Sequence, residues 1–298
     1  MNTERRNPRS VDIDLFPTER ILKIINAEDT LVATAVAAAI PQIAKVVDRA
    51  TESLRTGGRI IYVGTGTSGR LAVVDAAECP PTFGIPPEWI QALMAGGTKT
   101  LAHAVESFED DREKGVADLK SKKLTKNDLV IGIAASGNTP YTNAALEFAK
   151  SKGAKTAAVV CVENSVMSKT ADLTVYTAVG PEVITGSTRM KAGTAQKLIL
   201  NMISTTVLIK LGMTYSNWMI NVGMSNDKLR ERGQHIVQEI LGVKPDEAAR
   251  LVETSGSNLK VAVIMGATGC TREDAESRLA EAKGNLRAVI SHLGSGRE

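Results

Sequence analysis

The chain has 298 residues, of which 43% are apolar and 23% charged, enough for one large α/β domain with an appendage and too ordinary in composition for disorder. A net charge of +3, from 36 Lys and Arg against 33 Asp and Glu, gives nucleic acid little to bind, and aromatics at 3% leave little to stack on bases. Three scattered cysteines and three scattered histidines offer neither a disulfide framework nor metal-ligand spacing, so no metal is expected and a reducing compartment fits.

Residues 1–17 read as irregular, and the basic trio Arg5, Arg6 and Arg9, followed by Asp12 and Asp14, reads as a solvated arm. No apolar leader precedes them, and the stretch Leu198–Leu211 carries Asn201 and Lys210 and is too short for a bilayer. The expectation is a cytoplasmic protein with no membrane partner.

Thr18 to Thr56 is helical in pattern, with Thr18 as N-cap, a fresh start at Pro41 and a stop at Gly57-Gly58. The short apolar run Arg59–Val63 then predicts a buried strand, and Gly69–Ala77 a helix. Trp89–Met94 is a second strand and Leu101–Asp118 the helix after it. Asp128–Ala134, Lys155–Cys161 and Leu173–Thr177 are further strands, with a helix over Tyr141–Lys150 and a long one over 193–211. Strands alternating with helices predict an α/β fold, a parallel sheet flanked by helices in three layers. Beyond Asn226 only helices are expected: Lys228–Leu241, Pro245–Glu253, Leu259–Gly266, Arg272–Ala282 with Thr271 as N-cap, and Asn285–Leu293. The organisation expected is an N-terminal helical segment over 1–53, a sheet domain over 54–225 and a helical bundle of ubiquitin-associated-like appearance over 226–298.

Gly64, Gly66 and Gly69 spell GxGxxG between a strand and a helix, the pattern of a dinucleotide site. That reading fails on the second strand, which ends Ala92-Leu-Met-Ala-Gly-Gly97 with no carboxylate for a ribose. The same loop holds Thr65, Thr67 and Ser68, and hydroxyls mixed with glycines at a helix N-terminus suit a phosphate monoester. Ser136-Gly137-Asn138-Thr139-Pro140 repeats the arrangement after the third strand, and two such loops in one sheet can converge on one crevice. A third segment, Val183–Thr194, sets Ser187, Thr188, Arg189 and Lys191 at the start of the long helix, either as a cap or to hold an anion or sugar hydroxyls.

The motifs VGTGTSGR, DAAECPPTFG, IAASGNTPY and TGSTRMKAGTAQKLILNMIS together resemble the N-acetylmuramic acid 6-phosphate etherases of the sugar isomerase (SIS) domain superfamily, over nearly the whole chain. The resemblance implies an SIS-type sheet. It also implies conversion of N-acetylmuramic acid 6-phosphate and water to N-acetylglucosamine 6-phosphate and D-lactate, in amino-sugar and cell-wall recycling, with no metal or organic cofactor. The glucokinase regulatory protein carries altered forms of the same motifs, so a sugar-phosphate sensor without chemistry is the competing reading, and a sugar-phosphate isomerase a third. Superfamily members build sites at dimer interfaces, which implies a homodimer, and a single SIS domain with both glutamates favours the enzyme.

Elimination beside an aldehyde needs a base for the C2 proton and an acid for the departing ether oxygen, each worth about 10²–10⁴-fold. The resemblance assigns these roles to Glu78 and Glu109. Glu78 precedes Cys79-Pro80-Pro81, where the helix is expected to end, and the negative end of a helix dipole favours a protonated acid. Glu109 is followed by Asp110 and Asp111; Glu106, three residues before it, and Glu113, four after, could share a helix face with it, and Glu106 is the alternative to it. The implied phosphate and sugar contacts are Thr67, Ser68, Ser136, Gly137, Asn138, Thr139, Ser187, Thr188 and Lys191.

Overall fold

A computed structural model describes residues 4–103, 105–224 and 226–294. The chain forms two compact units: one comprises the residues up to Ala77 with Pro87–Val207, the other Glu78–Pro86 with the residues from Leu208 onward.

The first unit opens with two helices, α1 (Thr18–Ala38) and α2 (Ile40–Arg55), with Pro41 in the first turn of α2, where its missing N–H costs nothing. Thr18 is not the expected N-cap: Pro17 holds that position and Thr18 begins the helix. Nor is the N-terminal arm solvated throughout. Asn7 and Ser10 are buried, Asn7 Nδ2 donates to Pro181 O (3.2 Å) and Ser10 Oγ to Val183 O (2.7 Å). Arg9 Nε stands 2.6 Å from the buried Glu28 Oε1, while Arg5 and Arg6 remain exposed. Short polar side chains dock the arm because the 181–183 carbonyls have no strand or helix to satisfy them.

Five parallel strands, β1 (Ile60–Gly64), β2 (Ile90–Met94), β3 (Leu129–Ala134), β4 (Lys155–Val160) and β5 (Leu173–Tyr176), lie in the order β2-β1-β3-β4-β5. Every residue of β1 and β3 is buried, as continuous apolar runs in a covered parallel sheet must be. One face presents Ile61, Val63, Val130, Ala158 and Val160 to α5 (Arg112–Ser121), α6 (Pro140–Ser151) and α7 (Val166–Thr170). The opposite face, where Tyr62 points, takes α2, α3 (Gly66–Phe83) and α8 (Lys191–Lys210), which completes the three layers. This strand order reverses direction between β1 and β3, the place where doubly wound sheets open their ligand crevice.

Two expected helices differ. α3 does not stop at Glu78 but continues to Phe83 with Pro80 and Pro81 inside it. Proline's fixed φ is itself helical; its cost is the lost N–H, which leaves the carbonyls of Ala76 and Ala77 without their helical donors. The stop is Gly84, in left-handed conformation (φ +63°), whose N–H donates to Pro80 O (2.8 Å). The span Leu101–Asp118 is not one helix but three pieces: α4 (Lys99–Ala102), a 3₁₀ turn at Glu106–Phe108, and α5, which restarts where Asp111 accepts the Lys114 N–H (2.8 Å). α7 was not foreseen at all; it starts on the Ser165 N-cap.

The second unit holds α9 (Asp227–Leu241), α10 (Pro245–Thr254), α11 (Leu259–Thr268), α12 (Arg272–Glu281) and α13 (Leu286–Gly294). Thr271 caps α12 as expected, accepting the Asp274 N–H at 3.2 Å. α11 is the core of this unit, with Leu259 and Val261–Ile264 buried. Its buried Lys260 donates to Gly212 O (2.9 Å) and Gly284 O (2.6 Å), and burial pushes the ammonium pKa down to about 8.

Candidate functional site: two loops and a bridging carboxylate

β1 runs into α3 through the first loop. Its glycines are explained without a dinucleotide. A Cβ at Gly69 would stand 2.8 Å from Gly64 O and 2.7 Å from Met94 Cγ, so strand and helix pack too closely for side chains there. Gly66 has φ +49°, and a Cβ on it would lie 2.9 Å from Glu109 Oε1, so the loop leaves room there for that carboxylate. Ser68 is 9% exposed and its hydroxyl donates to Gln196 Oε1 on α8 (2.9 Å).

The second loop follows β3, which is hydrogen-bonded beside β1, so both loops leave adjacent strand ends. Gly137 takes φ +65°, and a Cβ on it would meet Ser165 Oγ at 2.3 Å. Ser136 Oγ accepts the Asn138 N–H (3.2 Å), and Asn138 Oδ1 accepts the Val166 N–H (3.0 Å), which ties the loop to α7. Ser136, Asn138 and Thr139 are half-buried, and Thr139 sits at the N-cap of α6 without a side-chain cap bond. The third segment reaches the first loop at the start of α8: a Cβ on Gly193 would be 3.4 Å from Thr67 Cγ2 and 3.7 Å from Thr188 O. Ser187 and Thr188 are half-buried, and Arg189 is exposed.

Glu109 is the residue that joins the loops. Its carboxylate stands at Gly66 in the first, while its main-chain carbonyl accepts the Tyr141 N–H (3.0 Å) just beyond the second. It lines a pocket of about 30 Å³ with Thr65, Gly66, Arg70, Thr100 and Val105, room for little more than one water. Arg70 braces this segment: Nε donates to Leu101 O (2.9 Å) and Nη2 to Thr100 O (2.7 Å). Because the helix is broken here, Glu106, Glu109 and Glu113 do not share a helix face. The Glu106 side chain lies outside the described residues. Glu78 is exposed on α3, in the second unit and more than a turn before the helix end, so the helix-terminus argument for its acidity does not apply.

Lys191 is not at the loops. It is 1% exposed, its ammonium pairs with Glu28 at 2.5 Å, and burial of Glu28 is outweighed by Lys191, Asn7 and Arg9, which hold that carboxyl below the usual range. The α8 N-terminus is likewise filled from within: the buried Glu182 accepts the Lys191 N–H (2.9 Å) and the Ala192 N–H (3.0 Å). Burial nevertheless raises the Glu182 pKa, which the two N–H groups only partly offset. A carboxylate already occupies the place where the sequence allowed an anion.

Asp75 went unnoticed in the sequence. It accepts from Tyr62 Oη (3.0 Å), Asn201 Nδ2 (2.7 Å) and Ser204 Oγ (3.1 Å), locking β1, α3 and α8 together three residues before Glu78. Burial raises its pKa against the pull of those donors. The buried Cys161 thiol is pushed up to about 12 by burial and by Glu182, which disfavours the thiolate.

The chain is 47% identical to an N-acetylmuramic acid 6-phosphate etherase of Geobacillus thermodenitrificans, over 97% of this chain and 98% of that one. It is 50% identical to one of Bacillus licheniformis (98% and 96% covered) and 48% identical to one of Bacillus subtilis (98% and 96%). The model of the glucokinase regulatory protein N-terminal SIS domain matches residues 42–150, and that of the SIS domain residues 113–205. A solved Listeria monocytogenes protein assigned as a sugar-phosphate isomerase shares the fold, with a TM-score of 0.50 and 19% identity over 67% of this chain and 94% of that one.

Proposed function

The chain belongs to the N-acetylmuramic acid 6-phosphate etherases, and from that premise we propose that it is a carbon–oxygen lyase that acts by elimination followed by water addition. The base removes the C2 proton of the open-chain sugar, the C3–O bond breaks, and the ether oxygen leaves protonated as D-lactate. Water then adds at C3 of the unsaturated aldehyde to give N-acetylglucosamine 6-phosphate. Glu109 serves as the C2 base and Glu78 as the acid for the leaving oxygen, exchanging roles for the hydration. Thr67, Ser68, Ser136, Gly137, Asn138 and Thr139 hold the phosphate, and Ser187 and Thr188 contact sugar or phosphate. Lys191, committed to Glu28, takes no part in binding.

The observation that carries this reading is the bridging position of Glu109, with a carboxylate on one hydroxyl-rich loop and a carbonyl on the start of the helix after the other. A base so placed is anchored to the elements that hold the phosphate, and positioning of that kind is what converts weak carboxylate basicity into rate. The reading extends to a cytoplasmic homodimer, supported by the exposed apolar residues Leu22 and Leu31 on α1 and Met202 on α8.

The deciding assay is release of D-lactate from N-acetylmuramic acid 6-phosphate. Glu78→Gln and Glu109→Gln should each reduce turnover by at least about 10²-fold while leaving sugar-phosphate binding intact. Tight binding without lactate in the wild-type protein would favour a sensor instead, and near-normal turnover of either variant would remove that residue from its role.

A further inference from the structure

Gln196 lies on the buried side of α8, 1% exposed, with its carboxamide oxygen accepting the Ser68 hydroxyl at 2.9 Å. The other end of the same carboxamide, Nε2, is buried and has no hydrogen-bond partner among the described residues. A buried amide donor left unpaired forfeits its hydration without a return, so folded chains seldom keep one without use. In this orientation of the amide Ser68 donates and Nε2 is the orphan, whereas the reverse orientation would set Nε2 against Ser68 Oγ and leave the oxygen unpaired.

Its position suggests the use. A phosphate monoester is a dianion whose oxygens only accept, so its site must be built of donors. The first loop supplies hydroxyls, yet Ser68 has given its proton to Gln196 Oε1. The carboxamide that takes this donor out of the loop brings two N–H groups of its own on Nε2, so the donor count is restored only if Nε2 serves the ligand.

We propose that Gln196 is a phosphate-binding residue of the first loop, its carboxamide oxygen orienting Ser68 and its Nε2 donating to an anionic oxygen of the sugar 6-phosphate. This rests on the reading of the first loop as the phosphate site. It also gives the orphaned donor the partner it lacks in the free protein, so the energy withheld on folding is recovered on binding.

The test compares binding of N-acetylglucosamine 6-phosphate and of unphosphorylated N-acetylglucosamine by calorimetry, alongside thermal midpoints, for the wild type and for Ser68→Ala, Ser136→Ala, Gln196→Met and Gln196→Glu. Loss of one hydrogen bond to a charged group should weaken the 6-phosphate sugar about ten- to hundredfold in Gln196→Met, without affecting the unphosphorylated sugar. Its thermal midpoint should be unchanged or higher, because the substitution removes a buried unpaired donor. Gln196→Glu, near-isosteric and able to accept from Ser68, should weaken the phosphate further by like charge, and it stands in should the methionine variant not fold. Wild-type affinity in both Gln196 variants beside weakened Ser68→Ala overturns the proposal alone. Wild-type affinity in Ser68→Ala and Ser136→Ala overturns the phosphate reading and the proposal with it. A lowered midpoint with unchanged affinity assigns Gln196 to structure only and also overturns it.

Discussion

Gly66 meets two demands at a single Cα. Its φ of +49° is left-handed, which costs an L-residue about 1–2 kcal/mol, and its missing Cβ leaves room for a carboxylate oxygen 2.9 Å away. The atom that a methyl group would displace is the far end of Glu109, so the chain can relax at the expense of the carboxylate proposed as the base. Gly66→Ala is therefore expected to lose only about 1–2 kcal/mol of stability but about 10²-fold in turnover, since misplacement by about 1 Å is enough for that. Denaturant midpoints set against D-lactate release measure the two losses; an activity deficit no larger than the folded fraction predicts would show that the carboxylate had not been moved. At this scale the sequence is readable where the signal is local. Ser68 and Ser136 stand out because each sits in its own run of glycine and hydroxyl residues after a strand. Lys191 and Gln196 do not, because their partners are remote: Glu28 is 163 residues from Lys191, and Ser68 is 128 from Gln196. A cation beside hydroxyls looks like an anion site until the buried carboxylate that neutralises it is known.

Strands were legible to within a residue or two, since a short branched apolar run between glycines has few other uses. Helix ends were not, where proline and a broken turn decide them. Pro80 and Pro81 looked like a stop because proline disfavours helical geometry in the residue before it, but the glycine at 84 makes a better one. The acidic run after Leu101 hid two interruptions because charged residues carry no apolar period to lose. Between elements, the lower ends of β1 and β3 are joined by one ion pair. Asp128, 0% exposed, accepts from Arg59 through the main-chain N (2.8 Å), Nε (3.1 Å) and Nη2 (2.7 Å), and from the Thr125 N–H (2.8 Å). Burial would raise the Asp128 pKa, but the hydrogen bonds and charge of Arg59 outweigh it and hold the carboxyl below its ordinary value. A carboxyl with a lowered folded-state pKa stabilises above its unfolded value, near 4, and loses that contribution as pH falls through the folded one. Stability should thus fall steeply below about pH 4, and Asp128→Asn should flatten that limb while costing about 3 kcal/mol at neutral pH. Urea midpoints at pH 3, 5 and 7 check it; an unchanged acid limb in the variant would assign the loss to other carboxylates.

For the molecule as a whole, alternation of strands and helices announced a parallel sheet, but not the order of its strands. That order matters most for function, because it makes β1 and β3 neighbours and so brings together two loops about seventy residues apart. Strand order follows from which crossovers pass over which face, a property of pairing that no single segment encodes. Assembly belongs to the same scale. Met202 and Ile209 are seven residues apart on α8, on one side of the helix, and are 37% and 49% exposed; on α1, Leu22 is 60% exposed. Sedimentation at micromolar concentration should give twice the 31.6 kDa chain mass. A species at the single-chain mass would mean that these residues face solvent in the working enzyme.

The backbone passes between the two compact units three times, after Ala77, after Pro86 and after Val207. They are laced rather than strung, so no single cut yields two intact pieces. The short excursion 78–86 carries Glu78 and closes on its own unit, where a Cβ at Gly84 would lie 2.3 Å from Asn221 O. A gene trimmed of its helical tail would strip this excursion of its packing along with the tail. The helices at the end of the chain are thus bound up with the fate of a glutamate more than a hundred residues earlier, and neither can be inherited without the other.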